Sequence, residues 1–576
     1  MDATLQLTHE RVDDVPLLLG FMTQLNLPQI LDQCLPPHPL HQGLSTGWLI
    51  TIWIAYILSQ ADHRKSHVQA WADNLKHTLE ALTEQSHRSV EFSDDRLTLA
   101  LERLAGPPAW HQIESQLWSA YCNVYTLPVA SIRLDATTSS GYHATTDDGV
   151  MQLGHSKDHR PDLAQFKLMA AAAQPSGHLI VCDVHPGNAA DDPLYLPLYG
   201  RVRALMDQSG LLYSGDCKMA ALETRAEIAR HKDHDLTPLP MTGQTKDEFP
   251  AWVEEALRPD ADDRLVSIRD GAELLGKGYE FGRAPTWDQE GTAFTWTERV
   301  LVFQSASLAD SQADALERRL QRAEAAVRGL TPPPGRGKTQ FTAGWELEKA
   351  VAAVLAQHEV EGLLEVEWAR EETSRKRYVG RGRGGLNRTQ RTEWTVRYQI
   401  TTVRRNEPVI RERKARLGWR VLVTNAPKTR LPLAKAVLVY RDGVCLERDF
   451  HLLKDRPRGI SPLYVRRGDQ IQGLTHLLTL ALRILTLFEL VVRRGQSQSG
   501  EKLKGLYPGQ ANRTTDRPTG FRVLAALANL EITLTRMESE GTHHWHLPPL
   551  PELLVKVLGY LGLPETVYTR LVDNST

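Results

Sequence analysis

Apolar residues recur at helical spacing through the first 125 positions. The stretches DDVPLLLGFMTQLNLPQILDQCL, GLSTGWLITIWIAYILSQ, HVQAWADNLKHTLEALTEQ and SDDRLTLALERL carry them at i, i+3 and i+4, so helices are expected there. Pro36, Pro37 and Pro39 punctuate the series, and Ser93 before Asp94 and Asp95 reads as a helix cap. The pattern then changes to short apolar runs bounded by Gly, Pro and Asn. Strands are predicted over 131–138, 166–173, 178–187 and 211–216. A helical stretch, PLYLPLYGRVRALMDQ, precedes the fourth strand, and another, MAALETRAEIARH, follows it. Strands alternating with helices indicate an α/β sheet.

Farther on, SQADALERRLQRAEAAVRGL and WELEKAVAAVLAQHE read as helices, whereas LLEVEWA, TEWTVRYQITTV and GWRVLVTNA alternate as strands. After Asn425 the helical period returns and holds for most of the remaining chain. Two apolar runs bear on membranes. Residues 47–58 are too few to span a bilayer. Residues 474–492 are interrupted by His476, Arg483 and Glu489. With Leu474, Leu477, Leu478, Leu482, Leu485 and Phe488 at helical spacing, they are expected to form a buried amphipathic helix. No signal peptide is expected from the acidic N-terminus, and no membrane partner is expected.

A chain of 576 residues is too long for one ordinary core. Five regions are expected: a helical N-terminal region, 1–125; a first part of an α/β core, 126–245; a mixed α/β insertion, 246–425; a second part of the core, 426–500; and a helical C-terminal region, 501–576. The five cysteines form no CxxC pair, so neither a zinc ribbon nor a disulfide framework is suggested, and a reducing cytoplasm fits. Net charge is −2, but its distribution is uneven. Between Arg375 and Arg430 seventeen Lys and Arg face three Glu, a net +14 on a body of −16. Such asymmetry marks an electrostatic footprint for a polyanion.

Several motifs are decoys. PPPGRGKT lacks the first glycine of a P-loop, since Pro332 stands there. Gly380, Gly382 and Gly385 match a dinucleotide pattern only by letters. Arg381 and Arg383 between them make a basic loop suited to lie on phosphates. THHWH (His543, His544, His546) reads as a surface turn rather than a metal site. The cluster GHSKDHRPD, with His155, Lys157 and Arg160, is equally a set of phosphate contacts or a polar turn.

Two acids stand out by position. Asp135 lies inside a strand, where a carboxylate is rare unless it is paired or binds a cation. Asp216 ends a strand just before a helix, where sites of open α/β sheets gather. Asp183 is a rival second acid. The segment VYRDGVCLERDFHLLKDRP, read as one helix from about Val437, puts Glu447, Phe450 and Lys454 on one face. Glu447 is therefore the acid expected to face the sheet, with Arg441, Arg448 and Lys454 as basic neighbours for phosphates. Three carboxylates suit a pair of magnesium ions, which prefer hard oxygen ligands and share positions with phosphate oxygens.

Taken together, LDATT, YSGD and Tyr440, Glu447 and Lys454 at Y-(2)-R-(3)-E-(6)-K spacing resemble a DDE transposase of bacterial insertion sequences. GHSKDHRPDLAQ, HPGNAAD and GWRVLVTNAP resemble the sixteen-thirty-four branch of the insertion-sequence-four-like group. The likeness runs from about residue 10 to 540, with one departure: Gly443 stands at the Arg position, and Arg441 is the nearest substitute. The resemblance implies an RNase H-like catalytic core with a β-rich insertion, flanked by helical regions. It implies that Asp135, Asp216 and Glu447 are catalytic and bind two magnesium ions, with manganese as a substitute. It also implies double-stranded DNA as partner, a homodimer on DNA, and contacts from Tyr440 and Lys454 near the cleaved phosphate. Trp368, Trp394 and Trp419 are candidates to hold a flipped base, with a β-core role as the alternative. The expected function is binding of terminal inverted repeats, cleavage and strand transfer, in a bacterial cytoplasm at the nucleoid. The alternatives are an inactive or domesticated DNA-binding derivative and an RNase H-like nuclease without strand transfer.

Overall fold

The structure is a computed structural model, and it describes all residues except 1–5, 38–41, 157–159, 262–263, 339, 381–388, 455–458, 461, 511, 540–541 and 574–576. The protein is mixed α/β and divides into two compact units. The first comprises Met1–Thr237, Pro285–Trp296 and Val439–Thr576; the second comprises Pro238–Ala284 and Thr297–Leu438.

The first unit is built on five sheet strands: β1 (Ser131–Gly141), β2 (Ala164–Gln174), β3 (His178–Pro186), β4 (Leu212–Ser214) and β5 (His234–Pro238). Their order is β3-β2-β1-β4-β5. Strands β3, β2 and β1 run antiparallel to one another in turn, and β4 and β5 continue parallel to β1. β2 is buried along its whole length, as its apolar run requires; Ala170 to Ala173 leave room for helices on the sheet. Its one lysine, Lys167, is neutralised by Asp191.

Helices α1 (Pro107–Tyr125), α2 (Asp192–Leu205) and α3 (Leu222–Arg230) belong to this unit. So do the last residues of α4 (Leu433–Arg441), all of α5 (Val444–Lys454) and the long α6 (Gly468–Ser499). The expected single helix from Val437 is in fact α4 and α5, separated by a break at Asp442 and Gly443. Glycine is a poor helix former, which places the break.

α6 is long and apolar enough to cross a membrane, yet 94% of its apolar window is buried inside the unit. It is buried nearly all round rather than amphipathic, the mark of a central core helix. Gly473 lets it approach the helix Asp94–Leu104, because a Cβ there would stand 2.0 Å from the Leu101 carbonyl oxygen. The three polar residues that interrupt the run all have partners. His476 Nδ1 lies 2.7 Å from the Leu104 carbonyl, Glu489 pairs with Arg448 and Arg493, and Arg483 pairs with Glu114 of α1.

The termini, expected to be helical, also supply a three-stranded sheet. Gln6–Arg11 pairs with Thr533–Ser539, which pairs with Thr542–His546. THHWH is thus a strand, not a turn, and the Trp545 ring stacks on His77 at 3.8 Å.

The second unit has its own strands: β6 (Val266–Asp270), β7 (Glu273–Arg283), β8 (Glu298–Ser305), β9 (Leu364–Tyr378), β10 (Gln390–Arg405) and β11 (Trp419–Thr424). β11, β8, β7 and β6 pair antiparallel in that order. β9 and β10 form a separate two-stranded ribbon. The helices Ala306–Gly329 and Gly344–Gln357 cover small cores around Leu316, Leu320, Leu347 and Val351. The basic loop with Arg381 and Arg383 lies outside the described residues, between the ends of β9 and β10. The GRGK segment makes only a turn, with Lys338 N–H on the Gly335 carbonyl.

Candidate active site

Strand register brings the two sequence-predicted aspartates together. β1 and β4 are parallel, with Arg133 opposite Ser214. Asp135 lies two residues beyond Arg133, and Asp216 two residues beyond Ser214. Asp135 thus lies within β1, and Asp216 lies just past the end of the neighbouring β4. Both are half-buried.

Their common neighbour is Tyr195 of α2, a residue with no solvent exposure. Its hydroxyl donates to Asp216 Oδ1 at 2.7 Å. Burial first, then the charges of Asp216 and Asp135, hold the phenol well above its ordinary range, so Tyr195 remains a donor. Asp216 Oδ1 also accepts the Lys218 N–H at 2.9 Å, and its backbone carbonyl accepts from Thr237 Oγ1 at 2.6 Å. Asp135 Oδ1 accepts from the Ala136 N–H at 2.8 Å. These contacts orient the Asp216 carboxylate just past the end of β4.

Asp183, the rival second acid, has a different task. It pairs with Arg201, which also pairs with Glu114, and His111 stands 3.8 Å away. Glu114 in turn holds Arg483 and accepts the Cys182 N–H at 2.9 Å. This is a buried charge network joining α1, α2, β3 and α6.

Glu447 lies on α5, which packs against β1 and α6. Its side chain is exposed, at the rim of the helix's buried face. The buried acid of α5 is Asp449, with no exposure, rather than Glu447. Phe450 is buried as expected. Arg448 spends its charge on Glu489 at 3.0 Å and Asp449 at 3.4 Å. Burial outweighs that arginine and pushes the Asp449 carboxyl up to about 7. Among the described residues no group of three or more His, Cys, Asp or Glu is arranged to hold a metal ion. The pair Asp135 and Asp216 supplies the hard oxygen donors that a divalent cation takes.

The other predicted contacts are scattered. Tyr440 lies on α4 under the Arg133 guanidinium, 5.1 Å from ring centroid to Cζ. Lys454 is half-buried at the end of α5, and Arg441 is exposed at the end of α4. His155 is exposed; Arg160 is exposed and bonded to Asp162 at 2.7 Å. Lys157 lies outside the described residues, as do Arg381 and Arg383. Of the three tryptophans, Trp419 is buried, with its Nε1–H on the Ala415 carbonyl, and Trp368 packs against a small core. Trp394 is 67% exposed on the ribbon. Sequence reasoning missed Tyr195 and Arg133. The pair Tyr195 and Tyr199 at i, i+4 was the available signal for the first; Tyr199 reaches Asp233 at 2.9 Å in the same manner.

No family model matches the chain, and no curated protein matches it. Among solved structures it is similar to a chain described as "Cryo-EM structure of piggyBac transposase synaptic complex with hairpin DNA (SNHP)". Identity is 12%, the TM-score is 0.24, and the match covers 48% of this chain and 60% of that one.

Proposed function

We propose that the protein is a DDE transposase of the insertion-sequence-four-like kind, with an RNase H-like core in its first unit. The observation that carries this reading is that Asp135 on β1 and Asp216 just past the parallel β4 both act on the buried Tyr195, Asp216 by accepting its hydroxyl and Asp135 by its charge. Ligand sites of open α/β sheets gather beyond the carboxyl ends of strands, which is where Asp216 stands. The motif around Tyr440, Glu447 and Lys454 supports the same reading.

In this reading Asp135 and Asp216 hold divalent cations, magnesium or manganese, and Glu447 completes the set when DNA is bound. Such ions activate the attacking oxygen and stabilise the leaving one in phosphoryl transfer. Tyr195 orients the Asp216 carboxylate from behind, and the Lys218 N–H keeps Oδ1 directed. Tyr440, Lys454 and Arg441 contact the DNA end. The basic ribbon tracks the phosphates of a terminal repeat, and Trp394 is the tryptophan free to stack on a base. The protein acts as a homodimer on DNA in the cytoplasm.

A second reading, DNA binding without cleavage, is favoured by the lack of a three-acid group among the described residues and by Gly443. The test is incubation of labelled element ends with Mg²⁺. Cleavage with joined product is expected; cleavage alone indicates a nuclease, and a mobility shift without cutting indicates the binding derivative. Asp216→Asn is expected to lower cleavage by about 10³-fold or more while binding persists, on the scale of losing a principal electrostatic group. Undiminished cleavage by that variant refutes the site.

A further inference from the structure

Two motifs noted in the sequence, GHSKDHRPDLAQ and HPGNAAD, lie apart in the chain but close on each other in the fold. They meet at the end of the sheet toward which β1 and β4 run, where Gln165 and Lys167 of β2 stand opposite Ser140 and Thr138 of β1. Gln165 is 1% exposed. Its side-chain amide donates to the His155 carbonyl at 2.9 Å and to the Gly187 carbonyl at 3.1 Å. One side chain thus holds a loop from each motif. Both loops need glycine where they touch. A Cβ on Gly154 would stand 2.4 Å from the Gly187 carbonyl oxygen, and one on Gly187 would stand 2.0 Å from the Gln165 carbonyl oxygen.

Two residues along the same strand, the buried Lys167 donates to the Ala189 carbonyl and pairs with Asp191. Asp191 is the cap position of α2, and Asp192, the first residue of that helix, pairs with Lys218 at 3.2 Å. The start of α2 is therefore tied on one side to β2 and on the other to the segment that follows Asp216. Tyr195 lies one turn into α2, and its hydroxyl reaches Asp216 Oδ1 at 2.7 Å. Such a bond fails beyond about 3.5 Å, so a displacement of α2 by about 1 Å forfeits it.

We propose that Lys167 is a positioning residue for the acid pair: it ties the start of α2 to β2 and so sets where the Tyr195 hydroxyl meets Asp216. Gln165 supports it by closing the two loops over the same strand. The proposal rests on the transposase reading for the cation at Asp135 and Asp216, but not for the placement of Tyr195.

The test variant is Lys167→Met with Asp191→Asn. Removing both charges avoids stranding a buried carboxylate, so the full chain should fold, and the two charge changes offset each other at the cation site. The first readout is the fluorine resonance of 3-fluorotyrosine installed at position 195, recorded without metal. The second is Mn²⁺ affinity, from the electron paramagnetic resonance of the free ion. In the test variant the resonance is expected to leave its parent position, and Mn²⁺ binding to weaken about tenfold, the scale on which partners of ligating carboxylates act. Tyr195→Phe should weaken Mn²⁺ binding by a similar factor. Adding it to the test variant should weaken binding no further, because the lysine acts through the tyrosine. A lysine that only stabilises the fold would lower the melting temperature and leave both readouts unmoved; that result overturns the proposal, as do losses that multiply in the combined variant. A resonance that moves, in a chain whose Mn²⁺ binding is absent or indifferent to Asp216→Asn, leaves the positioning role standing and defeats the transposase reading.

Discussion

The first unit and the two-stranded ribbon of the second treat charge in opposite ways. In the first, charges are buried and matched: Glu114 holds both Arg201 and Arg483, Lys167 meets Asp191, and Arg448 meets Glu489. In the second, the ribbon from Arg370 to Tyr378 and from Gln390 to Trp394 is exposed throughout, and its charges face solvent. Buried pairs fix how elements sit together and are costly to break singly, whereas exposed ones are worth little to stability and remain available for a partner. The comparison assigns precision to the first unit and reach to the ribbon.

The sharpest way to break it is Glu114→Ala. Arg483, 1% exposed, would keep only backbone and sulfur contacts and the face of the Trp110 ring, and Arg201 would keep only Asp183 and a carbonyl. A loss of about 3–5 kcal/mol is expected by denaturant titration. A loss under about 1 kcal/mol would mean that the network does not organise this unit.

Asp449→Asn comes next. The folded carboxyl holds its proton up to about pH 7, while the ordinary value is 3.8. Between those values the native state binds the extra proton, so this group's contribution falls as pH rises through that window and stays low above it. The asparagine variant should therefore gain stability over the parent at pH 8 by an amount on the order of a few kcal/mol, and much less at pH 4. Thermal melts at the two values check the sign; an equal difference at both would show that the carboxyl ionises normally.

The smallest stability effect is expected on the ribbon. Replacing Arg375, Lys376 and Arg377 together by Gln should move stability by no more than about 0.5 kcal/mol per site. The same change should make duplex binding less salt-dependent by up to about 0.9 for each phosphate no longer neutralised. If stability collapses instead, the ribbon is a folding element and the contrast with the first unit fails.

Much of this was legible in the chain. The four strands of the α/β stretch appear where apolar runs sit between Gly, Pro and Asn, although 211–216 shortens to Leu212–Ser214. The long apolar segment is a core helix, but one without a polar face, because His476, Arg483 and Glu489 find buried partners on remote segments. No local period reports a partner some 370 residues away, as Glu114 is for Arg483. The helix expected from Val437 is split at Gly443, and the buried acid beyond the split is Asp449 rather than Glu447. A helical wheel assigns neighbours to one face without saying which face is covered.

The sequence alone determined the alternation of strands and helices, the +14 segment and the aspartate inside the first core strand, because period, charge and position are properties of neighbouring residues. Only the tertiary structure decided that Asp135 and Asp216 both act on one buried tyrosine, that Asp183 is consumed by Arg201, and that Arg133 lies against Gly443. Those relations depend on strand register and helix packing between distant segments, which spacing along the chain does not encode.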